Sequence, residues 1–154
     1  ERLRVFLDGG TDITDSGYQI NQAISSIGVG GLMGVGTNQY LHSAYLPEPI
    51  GDSIFAVLGE KLGLLGVSFT LALYILFAIF GYRIAIRSHD SFSKLLAVGI
   101  TSWILIQSFI NIAAISGLAP LTGVPLPFIS YGSSGLVINI VGASIIANIS
   151  RYTP

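Results

Sequence analysis

From residue 95 to residue 150 the chain carries no Asp, Glu, Lys, Arg or His, a run of 56 residues, and inside it sit Pro120, Pro125 and Pro127. A membrane-crossing helix needs roughly 20 apolar residues, so the run is long enough for two crossings. The prolines remove helix hydrogen bonds and forbid one continuous helix through it. The chain must therefore turn within the run. Non-helical backbone at membrane depth survives only where protein or a water-filled cavity satisfies its polar groups. The stretch "VPLPFISYGSSG", residues 124–135, is thus expected to be a shaped loop that dips toward a cavity.

The rest of the chain fits a lipid setting. Charged residues make up 10% and mean hydropathy is +0.73, against about 25% charged residues in soluble domains. A net charge of −1 gives no nucleic-acid footprint, and the lack of cysteine excludes disulfides and thiolate metal sites. The predicted fold class is all-α, a polytopic membrane helix bundle with spans at about 62–82, 95–117 and 135–150. Residues 1–61 are expected to form a large extracytoplasmic loop with short helices. Residues 118–134 are expected to form an outer Pro-rich loop, and all these parts to belong to one larger domain. The chain starts at Glu1 without a signal-peptide core, and is read as the C-terminal piece of a longer protein.

Charge sets the expected orientation. Arg83, Arg87 and Lys94 lie between the first two spans and Arg151 follows the third, whereas residues 118–134 hold no base. The positive-inside rule then places 83–94 and the C-terminus in the cytoplasm. Residues 1–61, with seven of the eight acids, fall outside.

In that outer segment Ser16 and Gln19 fit a capping box, and Ile20, Ala23, Ile24 and Ile27 follow helical spacing. An amphipathic helix is expected, lying on the membrane surface or on the protein. The glycines of "GVGGLMGVG", residues 28–36, end it. They match neither a dinucleotide nor a P-loop pattern and are read as a flexible turn region. Pro47, Pro49 and Gly51 then make a rigid turn ahead of Asp52. Asp52 has two compatible readings: the N-cap of a helix leading into the first span, or an acid held beside apolar surface for general-base work. Glu60 lies about two helical turns further on, on roughly the same face. Gln107, Ser108 and Asn111 are polar within the second span. They are read as helix–helix contacts, with a substrate role as the alternative. The hydroxyls of Ser130, Tyr131, Ser133 and Ser134 suit a sugar or phosphate oxygen, and suit neighbouring backbone equally.

At this point the sequence resembles a known family. "TGVPLPFISYGSSG" (122–135), "SGYQINQA" (16–23), "GVGGLMGVG" (28–36), "LPEPIGDSIFAVLGEKLGLLG" (46–66) and "NISR" (148–151) resemble, in order, the blocks of the SEDS family, the FtsW, RodA and SpoVE proteins of bacterial wall synthesis. The "NISRY" ending is more similar to the FtsW branch. Two departures stand out: Gly132-Ser133-Ser134-Gly135 replaces the usual Gly-Gly-Ser-Ser, and Glu60-Lys61 replaces a frequent Glu-Glu.

The resemblance implies a peptidoglycan glycosyltransferase of the bacterial inner membrane that polymerises lipid II, at the septum if the FtsW likeness holds. It implies work beside a class B penicillin-binding protein and other divisome membrane proteins. It implies that Asp52 is the catalytic acid. Beside it, Ser130, Tyr131, Ser134, Glu48 and Gln19 are read as substrate contacts. Glu60, Pro125, Pro127 and Gly132 would shape the cavity. No protein metal site is implied. The leaving pyrophosphate needs cations, and Arg2, Arg4 and Lys61 are the only outer ones, so a divalent cation (Mg or Mn) is an open alternative. Two rival functions remain at this level: a lipid II flippase, and a non-catalytic scaffold in which Asp52 is only a helix cap.

Overall fold

A computed structural model of the chain describes residues 15–36, 51–120 and 122–152. It is a helix bundle, and the described residues contain no strand. The helices are α1 (Asp15–Gly30), α2 (Ile54–Arg87), α3 (Ser91–Ile115) and α4 (Ser133–Arg151). The last three are long and apolar enough to cross a membrane.

The helix α1 is amphipathic as its spacing predicts, with Ile20, Ala23 and Ser26 buried and Ile27 half-buried. Ile24 stays 45% exposed and its tip reaches Gly117 at the end of α3. The helix begins at Asp15, so Ser16 lies inside its first turn rather than at the cap. It crosses α2 with backbone against backbone. A Cβ on Gly30 would lie 1.9 Å from the Gly59 carbonyl oxygen, a distance that only glycine permits.

The first span differs from its sequence reading. The helix α2 is two helices joined at Gly63, whose φ of 63° and ψ of −159° lie in a region open essentially to glycine alone. Such a break frees carbonyls before it and N–H groups after it. The "flexible" glycine segment supplies the missing partners. The N–H groups of Val35 and Gly36 donate to the carbonyls of Glu60 (2.9 Å) and Lys61 (3.2 Å). In return the N–H groups of Leu64 and Leu65 donate to the carbonyls of Gly31 (2.9 Å) and Leu32 (3.3 Å). The segment after α1 is therefore an ordered clasp around a discontinuous helix. Beyond the break, residues 64–87 run about 36 Å, enough for the ~30 Å hydrocarbon core. Much of this segment's apolar surface faces outward: Leu65, Phe69, Ile75 and Phe80 are all exposed.

At the far end of the bundle α2 and α3 meet through small residues. Gly81, Ala85, Ala97 and Thr101 are buried, and a Cβ on Gly81 would sit 2.3 Å from the Thr101 hydroxyl oxygen. Membrane helices without a hydrophobic drive between them associate by this kind of close approach. The helix α4 leans on α3 through Gly142, close to Ile100 and Ile104, with Asn139, Ile146 and Ile149 on the same buried stripe.

The turn between α2 and α3 is closed by Asp90. Its carboxylate accepts hydrogen bonds from the N–H and the hydroxyl of Ser93, each at 3.0 Å. The backbone bond from Ser93, then its hydroxyl, hold the Asp90 carboxyl below its ordinary value. A depressed pKa means that this contribution is present above the unfolded value near 3.9 and is lost as pH falls through the folded one. Asp90→Ala should therefore speed amide exchange in the first turn of α3 at neutral pH. The difference from wild type should vanish in acid below the folded pKa, as hydrogen exchange across a pH series would show.

Candidate functional site

The polar groups of the bundle gather at the end opposite Asp90, around the turn at residues 51–53. The N-cap position of α2 is Ser53, with no side-chain cap bond, so Asp52 stands one residue ahead of the cap. Asp52 is partly exposed, whereas Ser53 is fully buried. Two helices grip this turn. From α1, Gln19 donates through Nε2 to the Ser53 hydroxyl at 3.2 Å. From α3, Asn111 donates through Nδ2 to the backbone carbonyl of Asp52 at 2.9 Å. Phe55 and Ala56 anchor the following turn in a cluster with Ala23, Ile115 and Leu126. Glu60 is completely buried on the same helix, two turns from Asp52 and just before the break at Gly63.

The proline loop comes down onto this cluster. The helix α3 ends with Gly117 at a φ of 74°, the Leu118 N–H reaching back to the Ala113 carbonyl (2.8 Å) and the Gly117 N–H to that of Ala114 (3.2 Å). This is the paired closure that a left-handed glycine after a helix allows. Prolines carry no N–H, so Pro125 and Pro127 present carbonyls alone. Three side chains serve them and their neighbour. Asn111 bonds the Val124 carbonyl (2.7 Å), Gln107 bonds that of Pro125 (3.0 Å), and the Tyr74 hydroxyl from α2 bonds that of Pro127. Leu126, between them, is 1% exposed. Phe128 takes a φ of 65°, rare for a bulky residue, and its ring meets Phe77 edge-on at 5.9 Å. Beside that pair lies a small apolar cavity of about 190 Å³, lined by Thr70, Leu73, Tyr74 and Ile129 as well.

The residues singled out from the sequence thus fall into three groups. Asp52, Gln19 and the Asn111 side chain come together at the turn. Ser130 is 7% exposed, and its hydroxyl accepts from the Leu126 N–H at 2.7 Å, so it closes the loop on itself. Tyr131 is 84% exposed, and Gly132 and Ser134 are exposed beside it, open to a ligand or a neighbouring chain. Glu48, Arg2 and Arg4 lie outside the described residues. Two structural roles escaped the sequence reading: Gln107 and Asn111 hold a loop rather than a second helix, and Tyr74 was not singled out. The available signal was a loop rich in prolines, which needs donors from elsewhere, and amide side chains spaced one helical turn apart.

Among the described residues no group of three or more His, Cys, Asp or Glu side chains is placed to hold a metal ion. What the arrangement offers is a carboxylate on a turn gripped from two helices, by Asn111 on its own backbone carbonyl and by Gln19 on the neighbouring Ser53 hydroxyl, and partly exposed at one end of the bundle. A carboxylate so placed can accept a proton from a hydroxyl.

Comparison with known proteins follows the same line. A family described as cell cycle protein, that of FtsW, RodA and SpoVE, matches residues 1–154. Stage V sporulation protein E of Bacillus subtilis is 42% identical over 154 residues, covering 99% of this chain and 42% of that protein. A probable peptidoglycan glycosyltransferase FtsW of the same organism is 46% identical over 138 residues, 89% of this chain and 34% of the relative. The peptidoglycan glycosyltransferase MrdB of Escherichia coli K12 is 41% identical over 157 residues, 99% and 42%. Among solved structures, a chain from work on how a peptidoglycan synthase complex coordinates polymerization and crosslinking aligns with a TM-score of 0.75 and 25% identity. The alignment covers 97% of this chain and 40% of that one. The chain thus spans about two fifths of the length of most of these relatives.

Proposed function

The chain belongs to the cell cycle protein family of FtsW, RodA and SpoVE, and from that premise we propose that it is the part of a lipid II polymerase that carries the general base. The base is Asp52. Its carboxylate takes the proton from the 4-hydroxyl of the acceptor sugar. That oxygen forms a bond to the anomeric carbon of the lipid-linked donor, and the bond from that carbon to the pyrophosphate breaks, releasing undecaprenyl pyrophosphate. The observation that carries this reading is the double grip on the turn, Gln19 on Ser53 and Asn111 on the Asp52 carbonyl. It holds a partly exposed acid that does not occupy the helix cap. Relatives named as peptidoglycan glycosyltransferases support it.

The same premise sets the surroundings. Asp52 faces the outside of the bacterial inner membrane, and Arg83, Arg87, Lys94 and Arg151 face the cytoplasm. The partner is a class B penicillin-binding protein, which fits a solved relative drawn from a complex that also crosslinks. The exposure of Tyr131 and Ser134 supports a role for them in contacting substrate or partner. Identities of 42%, 46% and 41% to relatives named SpoVE, FtsW and MrdB do not separate septal from elongation synthesis. The "NISRY" ending is what favours the septum. Lys61, nine residues after Asp52, is the described cation at this end of the bundle.

The reading is tested with the full-length parent and its penicillin-binding partner, the transpeptidase blocked by a β-lactam, on fluorescent lipid II. Long uncrosslinked glycan chains are expected. Transfer of lipid II across a bilayer with no chains formed would contradict the proposal and favour transport.

A further inference from the structure

Asn111 is 2% exposed, one turn beyond Gln107 on α3. Its single amide nitrogen donates both to the Asp52 carbonyl at 2.9 Å and to the Val124 carbonyl at 2.7 Å. These acceptors lie 59 and 13 residues away in the chain, so one atom ties the turn that bears the carboxylate to the proline loop. The position calls for an amide, because only Asn and Gln carry two N–H donors on one uncharged side-chain nitrogen. Aspartate would set an oxygen against two carbonyl oxygens. Leucine would fill the space and remove the Asn111 donor from both carbonyls in a region of low dielectric, where a lost hydrogen bond costs most.

We infer that Asn111 is a positioning residue for Asp52. By fixing the Asp52 main chain relative to residues 124–127, it sets where the carboxylate meets the acceptor hydroxyl, without touching substrate itself. The inference rests on the proposal that Asp52 is the general base. A base must come within about 2.6–3.2 Å of the oxygen it deprotonates, and a misplacement of about 1 Å can cost 10²-fold in rate. Gln107 provides the internal comparison. It holds the same loop through the Pro125 carbonyl, from the same face of the same helix, and does not bond the Asp52 turn.

The experiment measures steady-state lipid II polymerisation by the full-length parent with its partner, for wild type, Asn111→Leu, Asn111→Ser, Gln107→Leu and Asp52→Asn. Complex yield and melting temperature are recorded for each. Asn111→Leu is expected to lower kcat by about 30- to 100-fold while KM changes by less than about 3-fold, the pattern of an interaction that matters in the transition state. Gln107→Leu should lose less than about 5-fold. Asn111→Ser, smaller and free of overpacking, carries the test if the leucine variant does not fold, and should lose roughly 10-fold in kcat. The inference is overturned if Gln107→Leu loses as much kcat as the Asn111 variants, if those variants raise KM with kcat unchanged, or if they keep wild-type rates. Asp52→Asn separates the two levels. Should it retain wild-type rates, the base assignment fails and the positioning role fails with it. Should it be inactive while Asn111→Leu keeps its kcat, only the positioning role is wrong.

Discussion

Replacing Gly34 by alanine is expected to destabilise the protein by roughly 4 kcal/mol or more, whereas the same change at Gly28, six residues earlier, should be neutral or stabilise it. Gly34 has a φ of 77°, which costs a residue with a Cβ about 1–2 kcal/mol. That Cβ would also lie 2.1 Å from the Lys61 carbonyl oxygen and 2.4 Å from its carbon. Both are backbone atoms that no rotamer can move, so the segments must separate. Separation breaks the bonds from the Val35 and Gly36 N–H groups to the Glu60 and Lys61 carbonyls. Of the residues involved Glu60 is fully buried, and a buried polar group left unserved costs about 1–3 kcal/mol. Gly28 is helical, and a methyl group there would meet nothing within 4 Å, so alanine removes unfolded-chain entropy and gains about 0.5–1 kcal/mol. At about 2–4 °C per kcal/mol for a chain of this size, Gly34→Ala should melt roughly 10 °C below wild type. Equal melting temperatures for Gly34→Ala and wild type would mean that the clasp at Gly63 does not form.

The clasp bears on function because the break at Gly63 separates the helical turns that follow Asp52 from the spanning part of α2. The acid is therefore not held by a rigid rod through the membrane. It is held by α1, by the clasp behind Glu60, and by Asn111 on α3. Three connections from different parts of the chain fix one turn.

How far the sequence alone reaches can be judged from particular residues. The three spans were legible because uncharged runs of about 20 residues leave little alternative in lipid, and Pro120, Pro125 and Pro127 marked the loop. The amphipathic α1 was legible from Ile20, Ala23 and Ile27. The clasp was not. Glycine spacing shows that a chain can approach closely or take a positive φ, but which backbone it approaches is a tertiary fact, and "GVGGLMGVG" read as flexible. Gly63 was hidden for the same reason, since a single glycine in an apolar run breaks the helix only where partners for the freed groups arrive from elsewhere. The cap falls on Ser53 rather than Asp52, a one-residue difference that local pattern does not fix. Ser130 and Tyr131 are neighbours with like chemistry in sequence, yet loop closure buries one and leaves the other in the open. Pattern left Asp52 open between helix cap and general base, and the family likeness is what favours proposing it as the base.

The second large effect concerns that acid. Asparagine has nearly the shape of aspartate and leaves untouched the backbone carbonyl that Asn111 grips and the Gln19–Ser53 bond. The fold and the partner complex should therefore survive Asp52→Asn. What the amide lacks is a basic lone pair for the acceptor proton. Loss of a general base costs typically 10²–10⁴-fold, roughly 3–5 kcal/mol of barrier, while binding of lipid II should change little. A scaffold would be indifferent to this substitution, and a transporter would show no polymerisation for it to remove. The most direct measurement is therefore glycan chain formation from lipid II by the full-length protein with its penicillin-binding partner, wild type beside Asp52→Asn at matched melting temperature and complex yield. Chains from wild type and none, or fewer than about one in a hundred, from Asp52→Asn are the predicted result. Equal chain formation by both would contradict the account and leave Asp52 a structural residue of the turn.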